Sequence, residues 1–398
     1  MSDLFSEQLQ VLRAQSLHRK LREIGTAQGP EIQIVGQQLV NFSSNDYLGL
    51  ANDPLLREAA TAAVAEFGVG AGASRLLSGT QSPHVQLETA LAKWKGTQAA
   101  ICFGSGYAAA LGTIPALVGR HDVVVLDKLC HASLIDGAKL SGAAIRVFPH
   151  HHLGKLESHL DWARRERPEA RVLVVTESIF SMEGDRAPLR ELVGLKKRFG
   201  ALLLLDEAHA IGVIGPQGRG LAAKENLTRE VDVQMGTLSK GLGVSGGYIC
   251  GSRSLIDWLV NRARSFIFST ASPPALAAAA RAAIEFLGTE AGEQRRQKLW
   301  QRIETLRRSM PDNYANDVEP RENGSAIHPL IVGAEETALD LSRSLQNEGF
   351  LVPAIRYPTV AKGEARLRIT VTAAHEETHI QRLSEAIGRH QSALLTAA

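Results

Sequence analysis

Cysteine is nearly missing from this sequence: Cys102, Cys130 and Cys250 are the three that occur in 398 residues, far apart and in no metal-ligand spacing. A disulfide framework and a cysteine-based zinc site are excluded, and so sparse and odd a set suits a reducing compartment, here expected to be cytoplasmic. An excess of charge of one sign is also lacking. The 44 basic and 42 acidic residues are interspersed and leave a net charge of +2, so there is no basic stripe to track a nucleic-acid backbone and the expected partners are small molecules. Long hydrophobic runs are missing too. The most apolar stretch, Ala275 to Leu287, is broken by Arg281 and Glu285, and Met1-Ser2-Asp3-Leu4-Phe5-Ser6-Glu7 lacks the charged-then-apolar order of a signal peptide. No membrane contact is expected.

What is present fills a soluble chain long enough for two or three domains. Leu9, Leu12, Leu17, Leu21 and Ile24 predict an amphipathic helix over residues 9–24, with Arg19 and Arg22 riding on it. Glu31 to Phe42 reads as a hairpin leading into Ser43-Ser44-Asn45-Asp46-Tyr47-Leu48-Gly49, a loop too polar for the core. A helix is expected near 54–67, and the glycines of Gly68-Val69-Gly70-Ala71-Gly72-Ala73-Ser74-Arg75 imply a tight backbone path. Strand-length apolar runs follow at Ala99–Phe103, Val123–Asp127, Ala144–Phe148, Val172–Thr176, Leu202–Asp206, Val231–Met235 and Gly247–Cys250, most of them separated by helical segments. Runs apolar on both faces with crossover helices imply a mainly parallel sheet covered on both sides, hence an α/β fold. Beyond about residue 286 a charged helix (Glu293 to Met310) and short strands near Ile327–Val332, Val352–Ile355 and Leu367–Val371 predict a smaller α+β domain. The expected organisation is an N-terminal segment over 1–45, a large domain over 46–285 and a small domain over 286–398.

In open parallel sheets ligands bind at the carboxyl ends of the strands, and the chemistry collects there. Phe103-Gly104-Ser105-Gly106-Tyr107-Ala108-Ala109 follows one strand and opens a helix, which aims backbone N–H groups and a helix dipole at an anion. Its plain reading is a strand-to-helix turn, and Gly104-x-Gly106-x-x-Ala109 nearly fits a dinucleotide fingerprint. Asp127-Lys128-Leu129-Cys130-His131 ends the next strand. Val172 to Thr176 leads to Glu177-Ser178-Ile179-Phe180-Ser181-Met182-Glu183-Gly184-Asp185, whose carboxylates have a plainer reading as helix caps. Leu202-Leu203-Leu204-Leu205-Asp206-Glu207-Ala208-His209 resembles the second motif of phosphate-loop ATPases, but no glycine-rich loop ends in Gly-Lys-Ser or Gly-Lys-Thr. In Met235-Gly236-Thr237-Leu238-Ser239-Lys240-Gly241-Leu242-Gly243 a lysine sits between two strand-like runs with hydroxyls before it and glycines after it.

Together these are what pyridoxal 5'-phosphate requires: an amine for the aldehyde, a carboxylate for the pyridine nitrogen and fixed donors for the phosphate. Arg366-Leu367-Arg368 adds an arginine fork for a substrate carboxylate. A dinucleotide-dependent dehydrogenase with Asp122 or Asp127 as ribose-binding acid leaves Lys240, Asp206 and Arg368 unexplained. A third reading is a cofactor-free scaffold that inherited the fold. His150-His151-His152 is read as a solvated turn, and no metal is expected.

Asn45-Asp46-Tyr47-Leu48-Gly49-Leu50, Ser74-Arg75-Leu76-Leu77-Ser78-Gly79, His131-Ala132-Ser133, Asp206-Glu207-Ala208-His209, Gly236-Thr237-Leu238-Ser239-Lys240 and Arg366-Leu367-Arg368-Ile369-Thr370 together resemble the α-oxoamine synthases. These are fold-type I, aspartate-aminotransferase-like pyridoxal-phosphate enzymes that join an amino acid to an acyl thioester with loss of carbon dioxide. The resemblance implies that Lys240 is the Schiff-base lysine and proton carrier. It implies that Asp206 pairs with the pyridine nitrogen, His209 with the ring hydroxyl, and that His131 stacks on the ring. Gly106 and Tyr107 would offer amides to the phosphate, with Thr237 adding its hydroxyl and Thr270 reaching in from a second subunit of a homodimer whose site lies at the interface. Ser181 and Glu177 would line the cofactor and substrate side, Asn45 the substrate side, and Arg368 the carboxylate. Within the family it points to L-alanine and a pimeloyl thioester, with Arg22 for the distal carboxylate; glycine with acetyl-CoA and serine with a long acyl-CoA are the alternatives.

Overall fold

The computed structural model describes residues 2–310 and 324–395, so part of the segment expected as the small domain, 311–323 and 396–398, lies outside the described residues. The chain forms two compact units, one of Met1–Asn45, Met182–Gly184 and Lys298–Ala398, the other of Asp46–Ser181 and Asp185–Gln297. Two boundaries differ from expectation. The first 45 residues are not a separate segment but belong with the C-terminal third, and the division near 285 falls instead inside the helix Glu290–Ser309.

The reason lies in strand pairing. A hairpin of β1 (Glu31–Ile34) and β2 (Gln37–Asn41) forms as the alternation predicts. The N-terminal helix α1 covers Ser2–Ala14 and not 9–24. Ser16 takes φ 56°, and the amides of Leu17 and His18 both turn back to the Leu12 carbonyl, a left-handed termination that outweighs the apolar spacing of Leu17 and Leu21. Arg22 therefore lies beyond the helix, exposed, in an irregular segment.

In the larger unit, α2 (Pro54–Phe67) and α3 (Ser82–Lys95) precede β3 (Ala99–Phe103), α4 (Gly106–Leu117), β4 (Val123–Asp127), α5 (Ala132–Ser141) and β5 (Ala144–Phe148). Then follow α6 (Leu153–Glu166), β6 (Val172–Glu177), α7 (Leu189–Phe199), β7 (Leu202–Asp206), β8 (Val233–Thr237) and β9 (Gly247–Gly251). The seven strands stand in the order β3-β9-β8-β7-β6-β4-β5, parallel from β8 to β5, with β9 antiparallel to both its neighbours. The inner strands are largely apolar because both faces are buried, whereas the edge strand β5 carries Arg146 and leaves Val147 exposed. On β4, Val124 and Leu126 pack with Ala109 and Ile114 of α4 and Leu134 of α5, whereas Val123 and Val125 pack with Leu156 of α6 and Leu192 of α7. The loop after Asn45 is more core-like than its polarity suggested. Asp46 accepts the amides of Leu50 at 2.8 Å and Ala51 at 3.0 Å, and the turn so closed buries Tyr47, Leu48 and Leu50 completely.

The smaller unit continues with β10 (Ile327–Gly333), β11 (Phe350–Leu351), β12 (Ala354–Ile355) and β13 (Ala365–Thr370). The single strand expected over Val352–Ile355 is split around Pro353, which has no N–H to give. β11 pairs in parallel with β2, and β12 joins β10 and β13 in a separate antiparallel sheet. His328 and His375 are buried in this unit, and loss of water pushes both imidazoles down to about 3. Because the unfolded chain takes up these protons near pH 6.5 and the folded one does not, stability is full above that pH and falls as the pH drops from 6.5 toward 3. Each histidine is expected to contribute about 1.4 kcal/mol per pH unit across that window. Urea midpoints measured at pH 7 and pH 5 for His375→Asn, beside the unsubstituted protein, check this: the pH dependence should flatten in the variant. Among the described residues no helix is long and apolar enough to cross a membrane.

Candidate active site

Three neighbouring parallel strands of the larger unit end in polar residues, β6 at Glu177, β7 at Asp206 and β8 at Thr237. With the first turn of α4 they enclose a cavity of about 150 Å³, lined by Gly106, Tyr107, His131, Glu177, Asp206, His209, Thr237 and Lys240 among others. Eight residues predicted from separate stretches of sequence thus meet in one place.

Lys240 sits in the turn between β8 and β9. This turn is closed on itself: the Leu238 amide donates to Gly246, Val244 to Leu238 and Gly243 to Lys240, each at 2.9 Å. Gly241 has no room for a side chain, since a Cβ there would lie 2.2 Å from the Ile211 carbonyl oxygen. The Lys240 amine lies 2.8 Å from Nε2 of His209, whose Nδ1 meets the Tyr47 hydroxyl at 2.5 Å. Tyr47, to which no role is assigned from sequence, is thereby the residue that orients His209; its signal is a tyrosine in an otherwise polar loop.

Asp206 is 5% exposed, and the sole hydrogen-bond donor to its carboxylate among the described residues is the Ala208 amide at 2.9 Å. Burial pushes its carboxyl above the ordinary range, against the opposing pull of the Lys240 charge. Glu177, also buried, is not a helix cap but accepts the amide of His131. His131 caps α5, with Nδ1 at 2.8 Å from the Ser133 hydroxyl and accepting the Ser133 amide. Partial desolvation and then the Lys240 charge push its imidazole below its ordinary value.

Ser105 caps α4 by accepting the Ala108 amide at 3.0 Å, and the amides of Gly106 and Tyr107 just beyond it have no carbonyl partner within the helix. The Thr237 hydroxyl donates to the Gly246 carbonyl at 2.8 Å and accepts the Ser239 amide, so it must turn to serve an anion. These donors fit pyridoxal phosphate. A desolvated carboxylate held by one amide is suited to a cationic ring N–H, and the α4 terminus to a phosphate.

The neighbouring acid, Glu207, faces away from this chemistry. It is fully buried, pairs with Lys95 of α3 and accepts the Ala222 amide at 3.0 Å. No local pattern signals this partner, which lies over a hundred positions away. Lys95→Met should cost about 3 kcal/mol in urea unfolding, because an uncompensated buried carboxylate remains; a loss under about 1 kcal/mol would contradict the pairing.

Five predicted residues, Arg22, Asn45, Ser181, Thr270 and Arg368, are not among those lining this cavity. Ser181 is half-buried in the loop after β6, and Thr270 is exposed and bridged to Ser74. In the smaller unit the guanidinium of the buried Arg368 donates to the Asn45 side-chain oxygen at 3.2 Å from both terminal nitrogens, and to the Thr370 hydroxyl at 3.0 Å.

The family described as Aminotransferase class I and II matches residues 37–387. The chain belongs to that family. It is 45% identical over 389 residues to 8-amino-7-oxononanoate synthase of Geobacter sulfurreducens, covering 98% of each chain. It is 47% identical to the enzyme of the same name from Anaeromyxobacter dehalogenans, covering 95% of this chain and 93% of the relative. Among solved structures it resembles serine palmitoyltransferase from S. paucimobilis with bound PLP, with TM-score 0.91, 30% identity and coverage of 99% and 98%. It also resembles 8-amino-7-oxononanoate synthase from Francisella tularensis, with TM-score 0.75, 27% identity and coverage of 89% and 98%. The fold is that of the fold-type I pyridoxal-phosphate enzymes.

Proposed function

We propose that this chain is a pyridoxal-phosphate-dependent acyltransferase that condenses L-alanine with a pimeloyl thioester, carried by CoA or acyl-carrier protein. Carbon dioxide and the free thiol carrier leave, and the product is 8-amino-7-oxononanoate, on the route to biotin. The observation that carries the chemistry is the Lys240 amine beside His209 in a cavity floored by the buried Asp206. The choice of substrates rests on the near-full-length identity to curated synthases of that name.

Bound pyridoxal phosphate supplies an electron-withdrawing ring on which the substrate amine can be activated. Lys240 would hold it covalently, and the same Nζ would take the α-proton of alanine. His209, fixed at Nδ1 by Tyr47, would serve the ring hydroxyl through Nε2. Asp206 would keep the ring nitrogen protonated, and His131 would stack on the ring. The Gly106 and Tyr107 amides would hold the phosphate, joined by the Thr237 hydroxyl and by Thr270 of a second subunit in a homodimer. Glu177 and Ser181 would border the cofactor, while Arg368, oriented by Asn45, would take the alanine carboxylate. Arg22 meets the distal carboxylate of the pimeloyl chain.

The solved serine palmitoyltransferases favour a second reading, serine with a long acyl-CoA. Thiol release from acetyl, pimeloyl and palmitoyl thioesters, each with alanine, glycine and serine, separates them. Alanine with the pimeloyl thioester should give the highest kcat/KM; preference for glycine with acetyl-CoA or serine with palmitoyl-CoA would overturn the substrate choice. Arg22→Ala should raise KM for the pimeloyl thioester, a loss of roughly 1.5–3 kcal/mol, and leave a thioester without the terminal carboxylate nearly unaffected.

A further inference from the structure

Three loops of the larger unit bring together two imidazoles and two carboxylates, none of which lines the Lys240 cavity. Asp127 ends β4, His150 and His151 follow β5, and Asp185 lies in the loop after β6. The histidine run is no solvated turn. His150 Nδ1 lies 3.0 and 3.2 Å from the Asp127 oxygens, and its Nε2 is 2.9 Å from Asp185 Oδ2. His151 Nδ1 is 3.6 Å from that same oxygen. The two rings stack at 3.7 Å, and Phe180 meets both edge-on.

We propose that His150, His151 and Asp185 form a site for a divalent transition-metal cation of the zinc class, with Asp127 orienting His150 from behind. Their ligand atoms all lie within 4.8 Å of one another. Tetrahedral zinc with ligands at about 2.0–2.1 Å sets ligand atoms about 3.3 Å apart, and the observed 2.9 and 3.6 Å separations straddle that edge. Two imidazoles and a carboxylate favour zinc, cobalt or nickel over magnesium or calcium, which take oxygen ligands.

Asp127 supplies what a metal-binding histidine needs behind it. It accepts from Nδ1 of His150, which leaves Nε2, now donating to Asp185, as the nitrogen that would give up its proton to take a metal, and it is itself held by the amides of Leu129 and His151. A further observation points to a ligand. Oδ1 of Asp185, on the carboxylate that faces both rings, is buried without any hydrogen-bond partner, an expensive condition that a cation held against this carboxylate would relieve. With side chains 22–32% exposed, the cluster leaves a fourth position open to water. A bound ion would cross-link the chain after β5 to the loop after β6.

Equilibrium dialysis of the full-length protein, saturated with pyridoxal phosphate, against Zn²⁺ tests the site. A single tightly held ion per chain is expected. His151→Asn and Asp185→Asn should each weaken binding by at least about tenfold, and Asp127→Asn by about 10–100-fold through the freed imidazole. His152→Asn, whose imidazole only accepts the Lys155 amide at the start of α6, should leave it unchanged. Co²⁺ in place of Zn²⁺ should show tetrahedral ligand-field bands in the unsubstituted protein and none in His151→Asn. Should Asp185→Asn fail to fold, the part-exposed His151 carries the comparison alone. Absence of stoichiometric binding at micromolar zinc, or binding that persists in His151→Asn, overturns the proposal.

Discussion

Lys240→Ala is expected to fold normally and to lose turnover by at least about 10⁴-fold. The amine stands in a turn whose shape is set by backbone hydrogen bonds and glycines, so truncating the side chain removes little that holds the turn together. Chemically, nothing nearby replaces it. His209 is 2.8 Å away, but an imidazole tied at its other nitrogen to Tyr47 can neither anchor the cofactor covalently nor follow the proton between two carbons. Steady-state thiol release measures the loss, and borohydride should no longer fix the cofactor to the chain. Turnover within a few-fold of the unsubstituted protein would remove Lys240 from the chemistry.

The second large effect is expected at Asp206→Asn: cofactor still binds, but kcat falls by roughly 10²–10⁴-fold, the equivalent of about 3–5 kcal/mol for breaking a buried charge pair. An amide is neutral and cannot hold a ring nitrogen protonated, while it keeps the shape of the carboxylate and its bond from the Ala208 amide. Exchange of the alanine α-proton with solvent isolates the effect from acyl transfer. An exchange rate equal to that of the unsubstituted protein would show that Asp206 acts in some other way.

Much of this was legible because the informative signals are local. A strand buried on both faces must be apolar along nearly its whole length, which is why the runs at 99–103, 123–127 and 202–206 are strands with those same limits. Ligand-binding residues had to stand just after such runs, and Glu177, Asp206, His209 and Lys240 do so around one cavity. What was hidden depends on distant partners or on a single backbone angle. Periodicity extended the first helix past Ala14 because Leu17 and Leu21 fit the spacing; the positive φ of Ser16 leaves no trace in a hydrophobic pattern. The buried pairing of Lys95 with Glu207 joins residues 112 positions apart, beyond the reach of any local pattern. His150 and His151 read as a solvated turn because the two aspartates that enclose them come from elsewhere in the chain, the end of β4 and the loop after β6.

The parallel pairing of β2 with β11 carries a cost in time. Val40 and Asn41 leave the ribosome about 300 residues ahead of Phe350 and Leu351, a wait of roughly 15–60 s at bacterial or slower elongation rates. Within that interval the larger unit gains every strand of its own sheet, while the β2 edge of the hairpin stays unpaired and open to other nascent chains. The sheet in the middle of the sequence is thus complete before the second strand to be made finds its last partner.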